Sequence, residues 1–408
     1  MGSNVRIIAA LWFMVLVNYL ERVAVGFAGP SMMEGLGIGP DEFGLVLSSF
    51  GIGYLLAQIP GGLVADRIGA KALLVIGPLL WALFTGLTGL ASSLIALIIV
   101  RVCFGFSEGL SNTSMYKMIG DSIDPKDRSK VLGICTTAIP LAPAFAGGLI
   151  GALVVSFGWQ AMFLFMTIPA LLVSLVCYFL LPGTIRFAGL PGRGPMDSRA
   201  EQTASISFGQ LLKQPSLWLF SLAAFAWNIP YWGFLGWMPS YLSISQGIDI
   251  KSVGLLGSLI YVFAFFGLLA GGWLGSTLFE NRCPQLIAVF FGCAGLGLIA
   301  AYNGHTLAVV IGGLSVAAFF LFGASAPVGK TALDMAPANH RAAYVGTYNT
   351  TGHLGGALAP AAIGWLVQST SSFASGFGLM VAGLAVAAFC FLCLASASRA
   401  RQAYNLDT

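Results

Sequence analysis

Ionisable side chains are scarce. Asp, Glu, Lys and Arg together make up 8% of the 408 residues, about a third of the share in an ordinary soluble domain. A globule of this size cannot solvate its surface with so few charges, so a soluble enzyme or binding module is excluded. Histidine is rarer still. His305, His340 and His353 stand at no metal-ligand spacing, and neither HExxH nor GxSxG occurs, so no metal centre, cofactor or enzymatic activity is indicated. The seven cysteines are scattered through apolar runs. The one CxxC, Cys390 and Cys393, lacks a partner pair and reads as packing rather than as a zinc or disulfide site. Basic residues are dispersed and the net charge is only +4, so nucleic acid is not an expected partner.

What the chain has instead is apolar length: 57% of it is hydrophobic. The bilayer is therefore its solvent, and the fold class is an all-α membrane protein. Hydropathy divides it into twelve transmembrane spans near 7–29, 43–65, 72–92, 94–119, 130–156, 159–181, 216–243, 252–279, 284–303, 305–332, 342–370 and 372–395. The one long polar stretch, 182–215, reads as a cytoplasmic linker between an N-terminal six-helix bundle (1–181) and a C-terminal bundle with a short tail (216–408). Two of the 19 Lys and Arg, Arg22 and Arg101, lie deep inside spans, while Lys117, Lys130 and Lys330 stand at cytoplasmic span ends and are counted with the loops there. Of the rest, all but Lys251 fall at the N-terminus, in even-numbered loops or in the tail, which puts both termini in the cytoplasm. Compact loops and the lack of targeting features suggest a bacterial inner membrane.

The halves share a weak repeat. Gly61-Gly62-Leu63-Val64-Ala65-Asp66-Arg67-Ile68 returns 210 residues later as Gly271-Gly272-Trp273-Leu274-Gly275-Ser276-Thr277-Leu278. Arg128 and Gly133 are matched by Arg341 and Gly346. Such parallel repeats suit two pseudo-symmetric bundles that rock against each other.

Against this background four charges stand out: Glu21 and Arg22 in span one, Arg101 and Glu108 in span four. Each costs about 2.5–3.5 kcal/mol to insert at mid-membrane, and as two cations and two anions they neutralise one another. Such a set marks a substrate or proton path; the alternative is an ion-pair cluster that locks two helices. Arg101, Gly105, Glu108 and Asn112 share one helical face, as do Asn18, Glu21 and Arg22, and as do Tyr54, Gln58 and Gly61. Counting residues from the helix ends puts the two guanidiniums at one level, with Glu108 about 10 Å away along the membrane normal. Arginine stays charged in low dielectric and offers a planar fork to a carboxylate. A glutamate nearby can take up a proton when an arriving anion competes for the arginine.

Gly62-Leu63-Val64-Ala65-Asp66-Arg67-Ile68-Gly69-Ala70-Lys71 resembles the loop 2–3 signature of the major facilitator superfamily, with Ala70 in place of a basic residue. Asn18-Tyr19-Leu20-Glu21-Arg22 with Pro30, Gly53-Tyr54 with Gln58-Ile59-Pro60-Gly61-Gly62, and Arg101 with Gly105 and Glu108-Gly109 resemble helices of its anion:cation symporter family. So do Trp237-Met238-Pro239-Ser240-Tyr241-Leu242 and Asn349-Thr350-Thr351-Gly352-His353 with Pro360. Glutamate at 21 replaces a usual aspartate, and His353 a usual amide. The resemblance implies a monomeric transporter that works by alternating access and takes a small organic anion with protons. It implies that Arg22 and Arg101 hold the substrate carboxylate, that Glu108 and Glu21 carry protons, and that Asp66 and Arg67 serve the gate. Tyr19, Tyr54, Trp237, Asn228 and Asn349 are candidates for lining the cavity, with ordinary packing as the alternative for each aromatic. A facilitative uniporter and a proton-antiport exporter are the competing readings. The exporter pattern of span five is eroded here, because Ala138, Ala142 and Ala146 replace glycines around Pro143.

Overall fold

Inside hydrocarbon every backbone N–H must find its acceptor within its own segment, so long apolar runs fold as helices. The computed structural model of the chain describes residues 3–124, 127–183, 208–337 and 340–406, with no strand among the described residues. In order, the helices are α1 (Ser3–Leu36), α2 (Pro40–Ile68), α3 (Ala70–Leu90), α4 (Leu94–Ser122), α5 (Arg128–Thr136), α6 (Ala138–Leu180), α7 (Phe208–Leu212), α8 (Pro215–Ser240), α9 (Ile250–Ser276), α10 (Cys283–Tyr302), α11 (Leu307–Gly323), α12 (Ser325–Met335), α13 (Arg341–Thr370) and α14 (Phe373–Leu406). Each expected span is covered by helix. Most of the proposed linker lies outside the described residues. Eight helical stretches among the described residues are long and apolar enough to cross a membrane by length and composition alone.

Local chemistry sets the joints. Gly158, at φ 81, breaks α6 between spans five and six. The tight joint before α4 is closed by Ser93, whose hydroxyl accepts from the Ala96 N–H at 3.3 Å, and that before α11 by Thr306, which accepts from Val309 at 3.4 Å. At the far end of α4, Arg128 donates to the carbonyls of Ile123 (3.0 Å) and Gly120 (2.5 Å), satisfying acceptors the helix end leaves open.

Packing divides the chain into two compact units. The first comprises Met1–Pro191, Leu235–Leu259 and Pro360–Phe373; the second comprises Gly192–Phe234, Ile260–Ala359 and Ala374–Thr408. Within the first, α2 and α4 run parallel with their backbones in contact. A Cβ at Gly53 would strike the Val102 carbonyl, and one at Gly105 would strike the Phe50 carbonyl and stand 3.0 Å from the Tyr54 nitrogen. Small residues allow this approach, and the approach aligns the polar faces of both helices. The repeat has a physical counterpart here. Gly61 abuts Leu110 and Thr113 of α4 in the first unit, and its match Gly271 abuts Gly323 at the end of α11 in the second.

The first unit also takes in segments from late in the chain. Gly26 lies against the Leu235 carbonyl, Gly44 against that of Pro360, Gly364 against that of Pro40, and Gly147 against Gly254. Pro360 has no N–H and interrupts the α13 hydrogen-bond ladder. Trp237 Nε1 donates to the Pro360 carbonyl at 3.0 Å, and the Ala361 N–H donates to the Ser48 hydroxyl at 2.9 Å.

Candidate functional site

Four helices of the first unit bring the charged residues together. α1 supplies Asn18, Tyr19, Glu21 and Arg22; α4 supplies Arg101, Glu108 and Asn112; α2 adds Phe50 and Tyr54, and α3 adds Thr85. Glu21, Arg101 and Glu108 are each no more than 2% exposed.

Arg22 Nη2 donates to Glu108 Oε2 at 2.6 Å and to Asn18 Oδ1 at 3.3 Å. Three rings surround its guanidinium, those of Tyr19 at 4.4 Å, Phe50 at 4.8 Å and Tyr54 at 5.3 Å. Each such contact is worth about 0.5–2 kcal/mol when desolvated. The Tyr54 hydroxyl accepts from Asn112 Nδ2 at 2.6 Å, which ties α2 to α4 one turn beyond Glu108.

Arg101 is different. Its guanidinium lies 4.5 Å from the Phe104 ring and 5.3 Å from that of Phe50, and among the described residues it makes no hydrogen bond. A buried arginine in aromatic walls, with its donors uncommitted, has the chemistry to accept an anion. Glu21 is not part of the Arg22–Glu108 pair: its Oε2 accepts from the Thr85 hydroxyl at 3.1 Å, while Oε1 has no hydrogen-bond partner among the described residues.

The expected depth order needs correcting. Glu108 does not lie about 10 Å from the Arg22 guanidinium, which reaches it directly. Helical side chains lean toward the N-terminus of their own helix. α1 meets α2 through the short turn Gly37–Gly39 and runs opposite to both α2 and α4. Arg22 therefore leans toward Asn18 and the Glu108 end of α4, while Arg101 leans the other way.

Trp237 is buried in the first unit, with its indole N–H on Pro360 and its ring edge-on to Phe43 (5.6 Å) and Phe373 (6.2 Å). Asn349 is an exposed residue of the second unit. There too Asn228 accepts from Trp232 Nε1 at 3.1 Å and donates to the Ala224 carbonyl at 2.8 Å. Arg67 is exposed at the end of α2, and the side chain of Asp66 lies outside the described residues. Sequence reasoning missed Phe50 and Thr85. Phe50 precedes Tyr54 by one turn and so shares its face, a signal that was there to be read. Thr85 offers only a hydroxyl in an apolar span. No cluster of His, Cys, Asp or Glu that could hold a metal ion exists among the described residues, and the seven cysteines are free.

Membrane-length helices around a buried, nearly neutral cluster of charge define a multi-pass membrane transporter. Residues 11–360 match the Major Facilitator Superfamily, and the chain belongs to that family. It is 30% identical to the hexuronate transporter of Bacillus subtilis (strain 168), over 94% of this chain and 92% of that one. It is 26% identical to a probable L-galactonate transporter of Escherichia coli (strain K12), over 93% and 86%. The fold is that of a bacterial homologue of the human lysosomal transporter Spinster, solved inward-facing and unoccupied, with a TM-score of 0.80 at 20% identity over 97% of each chain.

Proposed function

We propose that the protein is a proton-coupled symporter that carries a small organic anion, a sugar acid or related carboxylate, into the cytoplasm by alternating access. One observation carries this reading: of two buried arginines, Arg22 is covered by a titratable acid while Arg101 has its donors uncommitted. An incoming carboxylate docks on Arg101 first. It then competes with Glu108 for Arg22, and Glu108, losing its cation, takes a proton. Loading thus proceeds with one anion and at least one proton together, so the cluster never holds two uncompensated negative charges. When the proton leaves, Glu108 returns to Arg22 and displaces the cargo. Glu21, close to Arg101 in the same cluster, is the second proton-carrying group. The sugar-acid assignment rests on the relatives, which are named for hexuronate and L-galactonate transport.

The test is uptake of a panel of radiolabelled carboxylates into proteoliposomes, with and without an inward proton gradient. Gradient-driven accumulation of a sugar acid is the expected result. Equilibration without accumulation would replace symport by facilitated diffusion, and gradient-driven extrusion of a non-anionic compound would make the protein an exporter.

A further inference from the structure

Glu21 reaches across to α3, where it meets the one side chain among the described residues that hydrogen-bonds it: the Thr85 hydroxyl, 3.1 Å from Oε2. Both residues are at most 2% exposed. A threonine in a helix ordinarily turns its hydroxyl back to its own carbonyl four residues earlier. Thr88 does so, donating to Phe84 O at 2.8 Å. Thr85 reaches the neighbouring helix instead.

We propose that Thr85 is a positioning residue for proton uptake at Glu21, its hydroxyl partnering the carboxyl in both protonation states. A hydroxyl is donor and acceptor at once. With Glu21 ionised, Thr85 O–H donates to Oε2. When Oε2 takes a proton from solvent, Glu21 O–H donates to Thr85 Oγ, and the threonine hydrogen swings to the Trp81 carbonyl one turn back. One proton is gained, and the buried carboxyl keeps a hydrogen bond throughout. A main-chain carbonyl could serve only the protonated form, and a main-chain amide could never accept the hydrogen bond of the acid's own O–H. The other charged groups that act on Glu21 are Arg101 and Glu108 of α4. α6 carries no Asp, Glu, Lys, Arg or His; α5 carries Arg128 and Lys130, and the charges of α2 are confined to its ends. Thr85 is thus the hydroxyl on which the carboxyl depends.

This inference rests on Glu21 carrying a proton in the proposed symport. Thr85→Val preserves shape and removes the hydroxyl; Thr85→Ser restores it. In proteoliposomes, Thr85→Val is expected to lose about tenfold in gradient-driven accumulation, the scale of one hydrogen bond to a charged group. Its half-maximal pH for substrate exchange should move upward, because the ionised form has lost its donor. Thr85→Ser should match the wild type in both, and Thr85→Val should add nothing in a Glu21→Gln background. A wild-type profile in Thr85→Val, or equal damage by serine, overturns the proposal. Infrared difference spectra between acid and neutral pH test it without transport and without the valine variant. The carboxylic-acid band that Glu21→Gln removes should have the frequency of a hydrogen-bonded acid in the wild type and in Thr85→Ser. A free-acid frequency, or no such band, overturns it as well. If the wild type itself fails to accumulate substrate, the symport reading falls, and the infrared band still decides the role of Thr85.

Discussion

Arg101 and Glu108 lie seven residues apart on one face of α4, yet only Glu108 is bonded to Arg22, at 2.6 Å, while Arg101 is buried with its donors uncommitted. In the symport proposed above the two arginines would have different duties, one to receive and one to be exchanged.

Receiving depends on the guanidinium fork. Arg101→Lys keeps the charge but not two parallel N–H donors. Carboxylate affinity should fall about 30-fold or more, as when a buried charged hydrogen-bond pair is broken. Titration of the purified protein with its substrate measures this, and near-normal affinity would remove Arg101 from the site.

Exchange at Arg22 depends on Glu108 changing its charge. Glu108→Gln is a permanent mimic of the protonated acid. It should support exchange of substrate at equal pH on both sides and lose accumulation on a proton gradient. The pH dependence has a definite sign: in the wild type, acidification on the loading side promotes uptake, and the glutamine variant is flat across the same range. Accumulation by the variant would exclude Glu108 as the proton carrier.

Phe50 lies against both cations, 4.8 Å from Arg22 and 5.3 Å from Arg101. Phe50→Leu retains bulk and loses the negative ring face that eases two positive charges into one low-dielectric space. The expected result is a rise of about 3- to 10-fold in Kd, from one or two lost cation–π contacts. Thermal stability should stay close to that of the wild type.

The α2–α4 contact is testable by a matched pair of substitutions on α4. At Gly105 a Cβ would collide with the Phe50 carbonyl; at Gly120 it would meet nothing within 4 Å. Gly105→Ala should cost about 1–3 kcal/mol by overpacking. Gly120→Ala should be neutral or gain up to about 1 kcal/mol in helix propensity. Thermal unfolding in detergent separates the two.

Trp237 provides a fifth test. Its N–H is already used by Pro360, so Trp237→Phe should lower the unfolding temperature and leave the KM for transport within about twofold, since one hydrogen bond, not a substrate contact, is removed. A large rise in KM would return Trp237 to the cavity.

Much of this was legible from the residues alone. The all-helical fold, the break near Gly158 and the repeat at Gly61 and Gly271 all follow from hydropathy and glycine spacing, because a bilayer leaves the backbone so few choices. That the four buried charges gather in one place was legible for the same reason: isolated in hydrocarbon, each would be costly. What the one-dimensional pattern did not convey was direction. Residue counting along helix axes ignores the lean of long side chains, and an arginine spans more than a helical turn, so the Arg22–Glu108 pair was missed. Thr85 was invisible because a threonine in an apolar span ordinarily bonds its own helix. Trp237 shows the limit from the other side: its place in a family-like motif gives no hint that its N–H is spent on Pro360.

The meeting of Gly147 with Gly254 brings main chain against main chain, with the Ser258 hydroxyl beside it accepting from the Gly148 N–H at 3.1 Å. In the alternating access proposed above, two such surfaces would part by breaking little more than that one bond and would freeze few rotamers when they rejoin, so the contact would have little friction in either direction. A leucine at either position would act like grit in a bearing, and turnover number rather than substrate affinity would register it.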